Sequence, residues 1–256
     1  MIPALQARRN AGATVRETAE GRWLLAIPGG PGGVYRWAQL DDHLQRDRRR
    51  FPYHPPLRLE LRARISSAEL PGTWGFGLWN DPFSASFGVS GTARRLPALP
   101  NAAWFFFAGP PNYLALRDTH PAQGFLAATF AAARLPFWLM APGALAAPFL
   151  LLRPAARLLR RLARILIHED AALVPGDPTA WRSYRLDWQP DRVSFWVDGA
   201  PIYSTPAAPR GPLGLVIWID NQYAAFPPSG RLQMGTSPNP ESFLEIEAID
   251  IKTGAG

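Results

Sequence analysis

Apolar and polar residues alternate along most of the chain, in short runs separated by Gly, Pro, Asn and Asp. In LRLELRARI (57–65), apolar residues at every second position alternate with Arg58, Glu60, Arg62 and Arg64. A period of two is typical of a strand with one buried and one solvent-facing side. Asp198-Gly199 falls between two such runs, and both residues tolerate the positive φ of a hairpin turn. The pattern predicts an all-β fold, either an antiparallel sandwich or a barrel.

The same pattern predicts strands over much of the chain. The predicted ranges are 22–27, 34–40, 57–65, 72–80, 83–89, 102–108, 113–117, 124–132, 183–189, 192–199, 200–205, 213–223 and 243–251. We treat residues 1–256 as one β-sandwich domain, with residues 134–170 inserted between strands.

The insertion opens with an uncharged apolar arm, LPFWLMAPGALAAPFLLL (135–152). Its length just reaches that of a membrane span, but Pro136, Pro142 and Pro148 interrupt it. A straight transmembrane helix is therefore not expected.

A basic amphipathic helix is predicted after the arm, beginning at Pro154. Its apolar residues share one face, and its arginines gather on the other. The apolar residues are Ala155, Leu158, Leu159, Leu162 and Leu166, and the arginines are Arg157, Arg160, Arg161 and Arg164. The arm and helix either close over a sheet as a lid or insert into a bilayer interface. In both cases Phe137, Trp138 and Phe149 supply apolar contacts, and in the second the arginines meet anionic headgroups.

Charge and composition narrow the function classes. The formal charge is +7, and Lys252 is the only lysine among 27 basic residues. Nucleic acid is not expected as a partner, because no recognition motif accompanies the arginine clusters. There are no cysteines, and His43, His54, His120 and His168 lack metal-ligand spacing, so no metal or cofactor is expected. Residues 1–20 contain no apolar run of signal-peptide length, and we expect a cytoplasmic protein, or one peripheral at the membrane.

Three stretches carry a resemblance to a known family. They are LRLELRARISSAELPGTWGFGLWN (57–80), SYRLDWQPDRVSFWVDGAPIY (183–203) and LEIEAIDI (244–251). In that order they resemble the opening strands, the V-D-G hairpin and the last strand of family 16 glycoside hydrolases, in the concanavalin A-like lectin and glucanase superfamily. The resemblance covers roughly residues 55–110 and 181–253. It implies a jelly-roll sandwich of two antiparallel sheets.

The family's hydrolytic acids lie in a Glu-x-Asp-x-x-Glu strand, and the corresponding stretch here has none. That stretch is AAWFFFA (102–108), within NAAWFFFAGPPN. A retaining glycosidase needs two carboxyl groups roughly 5 Å apart across the sugar bond. The resemblance thus implies the fold without the family's catalytic strand.

Two other groups of acids are candidates for a relocated site. Glu245, Glu247 and Asp250 have almost the family spacing, but i+5 faces away from i and i+2 in a regular strand. Only a bulge would bring them together, and no glycine indicates one. We expect these acids on a solvated outer face. His168–Asp170 follows the predicted helix, where we expect a C-terminal cap region with solvated acids.

The remaining chemistry is aromatic. The sequence predicts a ligand cleft in which aromatic rings contact the ligand and polar side chains at strand ends bind its hydroxyls. The predicted lining residues are Trp74, Trp79, Asn80, Asp81, Trp104, Phe106, Trp218, Asp220, Asn221, Gln222 and Tyr223. The alternative is core packing with turn residues at strand ends.

These observations favour a non-hydrolytic sandwich that binds a glycan or an apolar small molecule. An enzyme with a relocated acid is the alternative, acting as a glycosidase or by proton transfer. Asp81 and Asp220 are its weak candidates for that acid.

Overall fold

The computed structural model describes residues 4–82, 98–133 and 152–254. The predicted strand 83–89 and the arm residues Phe137, Trp138 and Phe149 lie outside the described residues. The strands within them are β1 Gln6–Arg9, β2 Thr14–Ala19, β3 Arg22–Ile27, β4 Trp37–Asp41, β5 Leu57–Ile65, β6 Thr73–Trp79, β7 Ala102–Ala108, β8 Gly124–Ala132, β9 Ile167–Leu173, β10 Arg182–Trp188, β11 Val193–Val197, β12 Ala200–Thr205, β13 Gly214–Asp220, β14 Gln222–Ala225, β15 Gln233–Thr236 and β16 Ser242–Thr253. A helix, α1, spans Arg153–Leu166, and a single 3-10 turn spans Arg48–Arg50.

The strands form two antiparallel sheets of seven strands each. The first sheet has the order β1-β4-β13-β6-β7-β8-β9, and the second has the order β12-β11-β10-β5-β16-β3-β2. A small hairpin, β14-β15, stands apart from both. The predicted all-β jelly-roll sandwich is confirmed.

The main core lies between the two sheets, where the central strands contribute alternate residues. Leu59 and Leu61 of β5 pack there with Phe76 of β6, Phe105 of β7 and Ile217 of β13. The period of two in the sequence therefore marks the inward face of both sheets.

Most predicted strands coincide with observed ones, and 22–27, 57–65, 102–108 and 124–132 match residue for residue. Predicted strand 113–117 is wrong, because Tyr113 makes only an isolated bridge to Ala225. β1, β2, β9 and β15 were not predicted.

Helix α1 forms where the sequence predicts it, with one of its arginines on the buried side. Arg160 is buried, at 3 % exposure, whereas Leu158, Leu162 and Ile165 are 57 %, 46 % and 73 % exposed. Of the predicted apolar face, Leu158 and Leu162 are therefore exposed, whereas Leu159 and Leu166 are half-buried. Among the described residues, no helix is long and apolar enough to cross a bilayer.

Arg160 is the reason for this orientation. Its Nη1 donates to the carbonyl oxygens of Ala115 and Phe226, at 2.7 and 2.6 Å. Its Nη2 donates to Oδ1 of Asp118 at 2.7 Å, and its guanidinium lies over the Tyr113 and Phe226 rings. Since the carbonyls at 115 and 226 accept these bonds, burial of the arginine is compensated.

Candidate functional site

The outer face of the first sheet carries a second apolar cluster. In β7, Ala103, Phe105 and Phe107 point into the main core, so Trp104 and Phe106 point outward. In β13, Trp218 is likewise outward, because Ile217 and Ile219 are in the core. We call Trp79, Trp104, Phe106, Phe130 and Trp218 the aromatic cluster.

Trp218 lies at the centre of the aromatic cluster. Its ring centroid is 5.4 Å from that of Trp104, 5.8 Å from that of Phe106 and 6.4 Å from that of Trp79. The planes of Trp218 and Trp79 are nearly parallel, at 7°. Both of these rings are half-buried, whereas Trp104 and Phe106 are buried behind them.

Glycines on β6 make room for these rings. Gly75 and Gly77 pair with Trp218 and Val216 of β13 on one side, and with Phe106 and Trp104 of β7 on the other. A Cβ at Gly75 would stand 2.8 Å from the Trp218 ring, and one at Gly77 would stand 2.6 Å from Cβ of Trp104. Rings from both neighbouring strands therefore meet above the bare backbone of β6.

One end of the aromatic cluster is open and polar. Trp37 and Gln39 of β4 pair with Asp220 and Trp218 of β13, and all four share the outer face. Tyr35 stacks on Trp37 at 6.3 Å and is 39 % exposed. We call Tyr35, Trp37, Gln39, Trp218 and Asp220 the aromatic platform.

Hydrogen bonds hold the acid of the platform in place. Oδ1 of Asp220 accepts from the backbone N–H of Thr73 at 3.2 Å and from its hydroxyl at 2.9 Å. The same Thr73 oxygen accepts from Nε1 of Trp218 at 2.9 Å, and the Tyr35 hydroxyl lies 3.5 Å from Oδ2 of Asp220. Burial raises the pKa of Asp220 to about 7, although these hydrogen bonds oppose the rise. The carboxylate of Asp220, the hydroxyl of Thr73 and the indole of Trp218 are therefore linked in one chain of hydrogen bonds.

Several predicted site residues lie elsewhere. Trp74 points into the main core, 1 % exposed and stacked on Phe125 at 4.6 Å, because it lies five residues from Trp79 on the same strand. Its predicted place beside Trp79 is wrong.

Two predicted amides hold backbone together. Asn80 donates to the carbonyl of Leu99 and accepts from the N–H of Asn101, which ties the end of β6 to the start of β7. Asn221 is fully buried, donates to the carbonyl of Val34 and accepts from the N–H of Arg36. Asn80 and Asn221 therefore match the alternative interpretation, in which the polar residues at strand ends have a structural role and do not line a ligand cleft.

The last three predicted residues are also away from the platform face. Asp81 is 1 % exposed, with a left-handed φ of 49°, and its carbonyl accepts from Arg48. Gln222 and Tyr223 are half-buried on the β14-β15 hairpin, outside both large sheets. Of the two acid candidates, Asp81 is therefore buried and Asp220 is half-buried.

A second acid with a raised pKa lies at the far edge of this sheet. Glu169 is on β9 opposite Phe130, 5 % exposed, and its Oε2 accepts from the N–H of Leu116 at 2.6 Å. Burial raises its pKa to about 7. Its neighbour Asp170 accepts from the Thr205 hydroxyl at 2.7 Å. The expected cap with solvated acids is wrong, because 168–170 continue directly into a strand.

A cleft of about 610 Å³ borders this edge. Its charged and polar lining includes Arg117, His120, His168, Glu169 and Asp170. His120 Nε2 lies 3.7 Å from Oδ1 of Asp170, an ion pair when the histidine is protonated.

Neither Glu169 nor Asp41 is close enough to Asp220 to form a hydrolytic pair with it. Asp220 and Glu169 are separated by four strand spacings, roughly 19 Å. Asp41 pairs with Val216, four residues from Asp220, which is roughly 13 Å along the strand. Glycosidase pairs are about 5 to 9.5 Å apart. The segments 83–97 and 134–151 contain no Asp or Glu, so they add no acid to this face.

The second sheet carries the other acids of interest on its outer face. Glu245 pairs with Arg64, and Glu247 with Arg62 and Arg22. A bulge between Glu247 and Asp250, with Ala248 at φ 53°, places Asp250 opposite Glu60 on the same face.

The expectation of no bulge is therefore wrong, since an alanine adopts the left-handed conformation there. Glu245 and Glu247 nevertheless lie on an outer face, as expected, and neutralise arginines. The three guanidiniums also lie within 5.5 Å of the Trp181 ring.

Sequence reasoning missed the β4 half of the platform. Trp37 and Gln39 alternate with the core residues Ala38 and Leu40, which is a signal for a shared outer face. It did not identify the face, because only the register shows which strand lies beside Trp218.

No family model matches the chain, and no sequence among curated proteins matches it. Solved structures similar to it include an endo-β-1,4-glucuronan lyase from the fungus Trichoderma reesei, with TM-score 0.49 and 12% identity, covering 97% of this chain and 90% of that one. A β-glucanase from Bacillus licheniformis has TM-score 0.48 and 11% identity, covering 97% and 92%. A legume lectin-like domain from Entamoeba histolytica has TM-score 0.47 and 8% identity, covering 97% and 90%. At these identities and TM-scores, no family, ligand or activity follows for this chain from the three structures.

Proposed function

We propose that this chain is a non-hydrolytic binding sandwich that holds a glycan on the aromatic platform. The observation that carries the proposal is that two half-buried tryptophans, Trp37 and Trp218, lie beside a fixed acid, Asp220, and the amide of Gln39 on one sheet face. Aromatic faces contact the CH-rich sides of sugars, and carboxylate, amide and hydroxyl groups bind the hydroxyls. The sequence resemblance makes glycans the first ligand class to test.

Preorganisation supports binding at this place. The indole of Trp218 is fixed by its hydrogen bond to Thr73 and by the rings of Phe106 and Trp104. A ligand therefore meets a ring that loses little rotamer freedom on binding.

The proposal that the protein does not hydrolyse its ligand rests on the acids. Neither Asp41 nor Glu169 is at glycosidase spacing from Asp220, and β7 has rings where the resembled family has acids. A glycan held there would be bound and released unchanged.

The test is calorimetric titration with a panel of β-glucan, galactan and uronic-acid oligosaccharides. Trp218→Ala is the site variant, and Trp181→Ala, which changes a half-buried tryptophan on the other sheet, is the matched control. We expect at least a tenfold loss of affinity in the first and none in the second. If the wild-type protein gives no binding heat with any oligosaccharide of the panel, glycan binding is contradicted.

An apolar small molecule is the other ligand named by the sequence, and the half-buried Trp79 and Trp218 give it a surface. Native mass spectrometry of the freshly purified protein distinguishes an apolar ligand from a glycan. A retained lipid-like mass that Trp218→Ala releases supports the apolar ligand in place of the glycan.

A proton-transfer enzyme is the second candidate function. The observation that favours it is the contact between Tyr35 and Asp220, whose pKa of about 7 suits a general acid or base near neutral pH. Incubation of any bound oligosaccharide with the protein, followed by product analysis, tests it. Turnover that Asp220→Asn abolishes without weakening binding supports the enzyme, and unchanged oligosaccharide contradicts it.

A further inference from the structure

Helix α1 exposes a continuous apolar ridge. Leu158, Leu162 and Ile165 follow the i, i+4, i+7 spacing of one helix face and are 57 %, 46 % and 73 % exposed. We call these three residues the apolar ridge. An exposed apolar stripe of this kind is typical of a surface that has a partner.

A row of arginines runs beside the ridge. Arg157, Arg161 and Arg164 have the same spacing, each one residue before a member of the ridge, and all three are exposed. The helix contains no acid, RPAARLLRRLARIL, so its exposed surface is apolar and cationic.

The helix cannot bury the ridge by rolling over. Such a rotation would withdraw Arg160 from two backbone carbonyls, from Asp118 and from the rings of Tyr113 and Phe226. It would also leave those buried carbonyls without their donor. The ridge is therefore held outward by the same contacts that dock the helix.

We propose that the apolar ridge of helix α1 docks on an anionic membrane surface. A helix in a bilayer interface places its apolar side chains at the acyl boundary, and arginines beside them reach the anionic headgroups. Charge complementarity selects this partner, since the exposed row consists of three arginines, of which only Arg164 lies near an acid of the described residues, Asp118 at 3.5 Å, and the whole chain carries +7. The sandwich would then lie on the membrane through α1, independently of any ligand on the aromatic platform.

The experiment is flotation of the full chain with vesicles of phosphatidylcholine containing 30 % phosphatidylglycerol, beside pure phosphatidylcholine vesicles. The site variant is Leu158→Gln/Leu162→Gln/Ile165→Gln, because glutamine keeps helix propensity and removes the apolar ridge. The matched control is Leu173→Gln/Met234→Gln, which changes two apolar residues that are equally exposed elsewhere.

We expect binding to the anionic vesicles, a loss of at least tenfold in the ridge variant and none in the control. Arg161→Gln should weaken binding about fivefold, and added salt should weaken the wild type. Absence of wild-type flotation, or equal flotation of the ridge variant, overturns the proposal. A concentration-dependent dimer in light scattering that the ridge variant abolishes, without flotation, overturns it in favour of a second copy of the chain.

A labelling measurement keeps the test independent of the triple variant's folding. The chain has no cysteine, so Ile165→Cys and the control Leu173→Cys each accept one environment-sensitive dye. A blue shift with anionic vesicles at position 165 and not at 173 supports docking, and equal spectra at both contradict it. The ridge variant should keep glycan affinity, and Trp218→Ala should keep flotation, so the two proposals fail separately.

Discussion

The ring of Trp218 lies across Gly75 of the neighbouring strand, where a Cβ would stand 2.8 Å from ring atom Cη2. The same Cβ would stand 2.4 Å from the carbonyl oxygen of Phe105. Position 75 on the outer face of β6 is thus closed to any side chain while the ring of Trp218 occupies it.

Gly75→Ala should lower the free energy of unfolding by about 1–3 kcal/mol, because the added methyl has no space between ring and backbone. The substitution should also displace Trp218 and so lower the affinity of the aromatic platform for any ligand bound there. Chemical denaturation and calorimetry measure the two effects.

Gly33→Ala serves as the control for that change. A Cβ there meets nothing within 4 Å, so only the left-handed φ of 87° opposes it. Equal ligand binding in both glycine variants would contradict the packing argument.

Asp220→Asn should make stability less dependent on pH. The folded-state pKa of Asp220, about 7, lies above the ordinary value of 3.8, so the folded protein holds this proton more tightly than the unfolded chain. The stability from this group is present below about pH 4 and is lost as pH rises toward 7.

Asparagine keeps an acceptor for Thr73 and carries no charge. The variant should therefore gain about 1–2 kcal/mol relative to wild type between pH 4 and pH 8, after discounting for the partial exposure of the group. Urea titrations at the two pH values measure this difference. A constant difference between the proteins would show that Asp220 titrates normally.

Arg160→Gln should detach helix α1. Its loss leaves the carbonyls of Ala115 and Phe226 without a donor, and we expect a loss of about 2–4 kcal/mol with faster proteolysis around 153–166. Arg161→Gln, on the exposed side of the same helix, should change stability by less than about 0.5 kcal/mol. Equal protease resistance of the two variants would disprove the anchoring role.

Glu245→Gln/Glu247→Gln should have little effect on function. These acids pair with half-exposed arginines on the second sheet, so we expect a loss of about 1 kcal/mol that high salt reduces. Glycan affinity should not change, since the platform is on the other sheet. Loss of a measured glycan hydrolysis without loss of folding would instead place a catalytic site there.

The sandwich could be predicted because the sequence signals for its strands and turns lie within short stretches of the chain. The alternation in β5, the Asp198-Gly199 turn and the order of apolar runs each follow from strand geometry. The β9 strand was missed because His168–Asp170 follows a helix without a turn residue, and its pairing with β8 is a long-range property.

The orientation of α1 could not be predicted from periodicity. A helical pattern separates apolar from basic residues but does not say which face is buried. Here the choice depends on the carbonyls of Ala115 and Phe226, which accept from Arg160 and which the sequence does not reveal. Similarly, the face of Trp74 follows only from the pleat that it shares with Phe76 and Leu78.

The docking of α1 also has a consequence for how the chain tolerates change. Two of the three acceptors of Arg160 are main-chain carbonyls, which every residue type supplies. Ala115 and Phe226 can therefore be substituted without loss of those two bonds, provided that their backbone keeps its path. The only side chain that these two bonds require is the guanidinium of Arg160. Substitutions at positions 115 and 226 therefore preserve the two bonds, whereas a substitution at position 160 removes both.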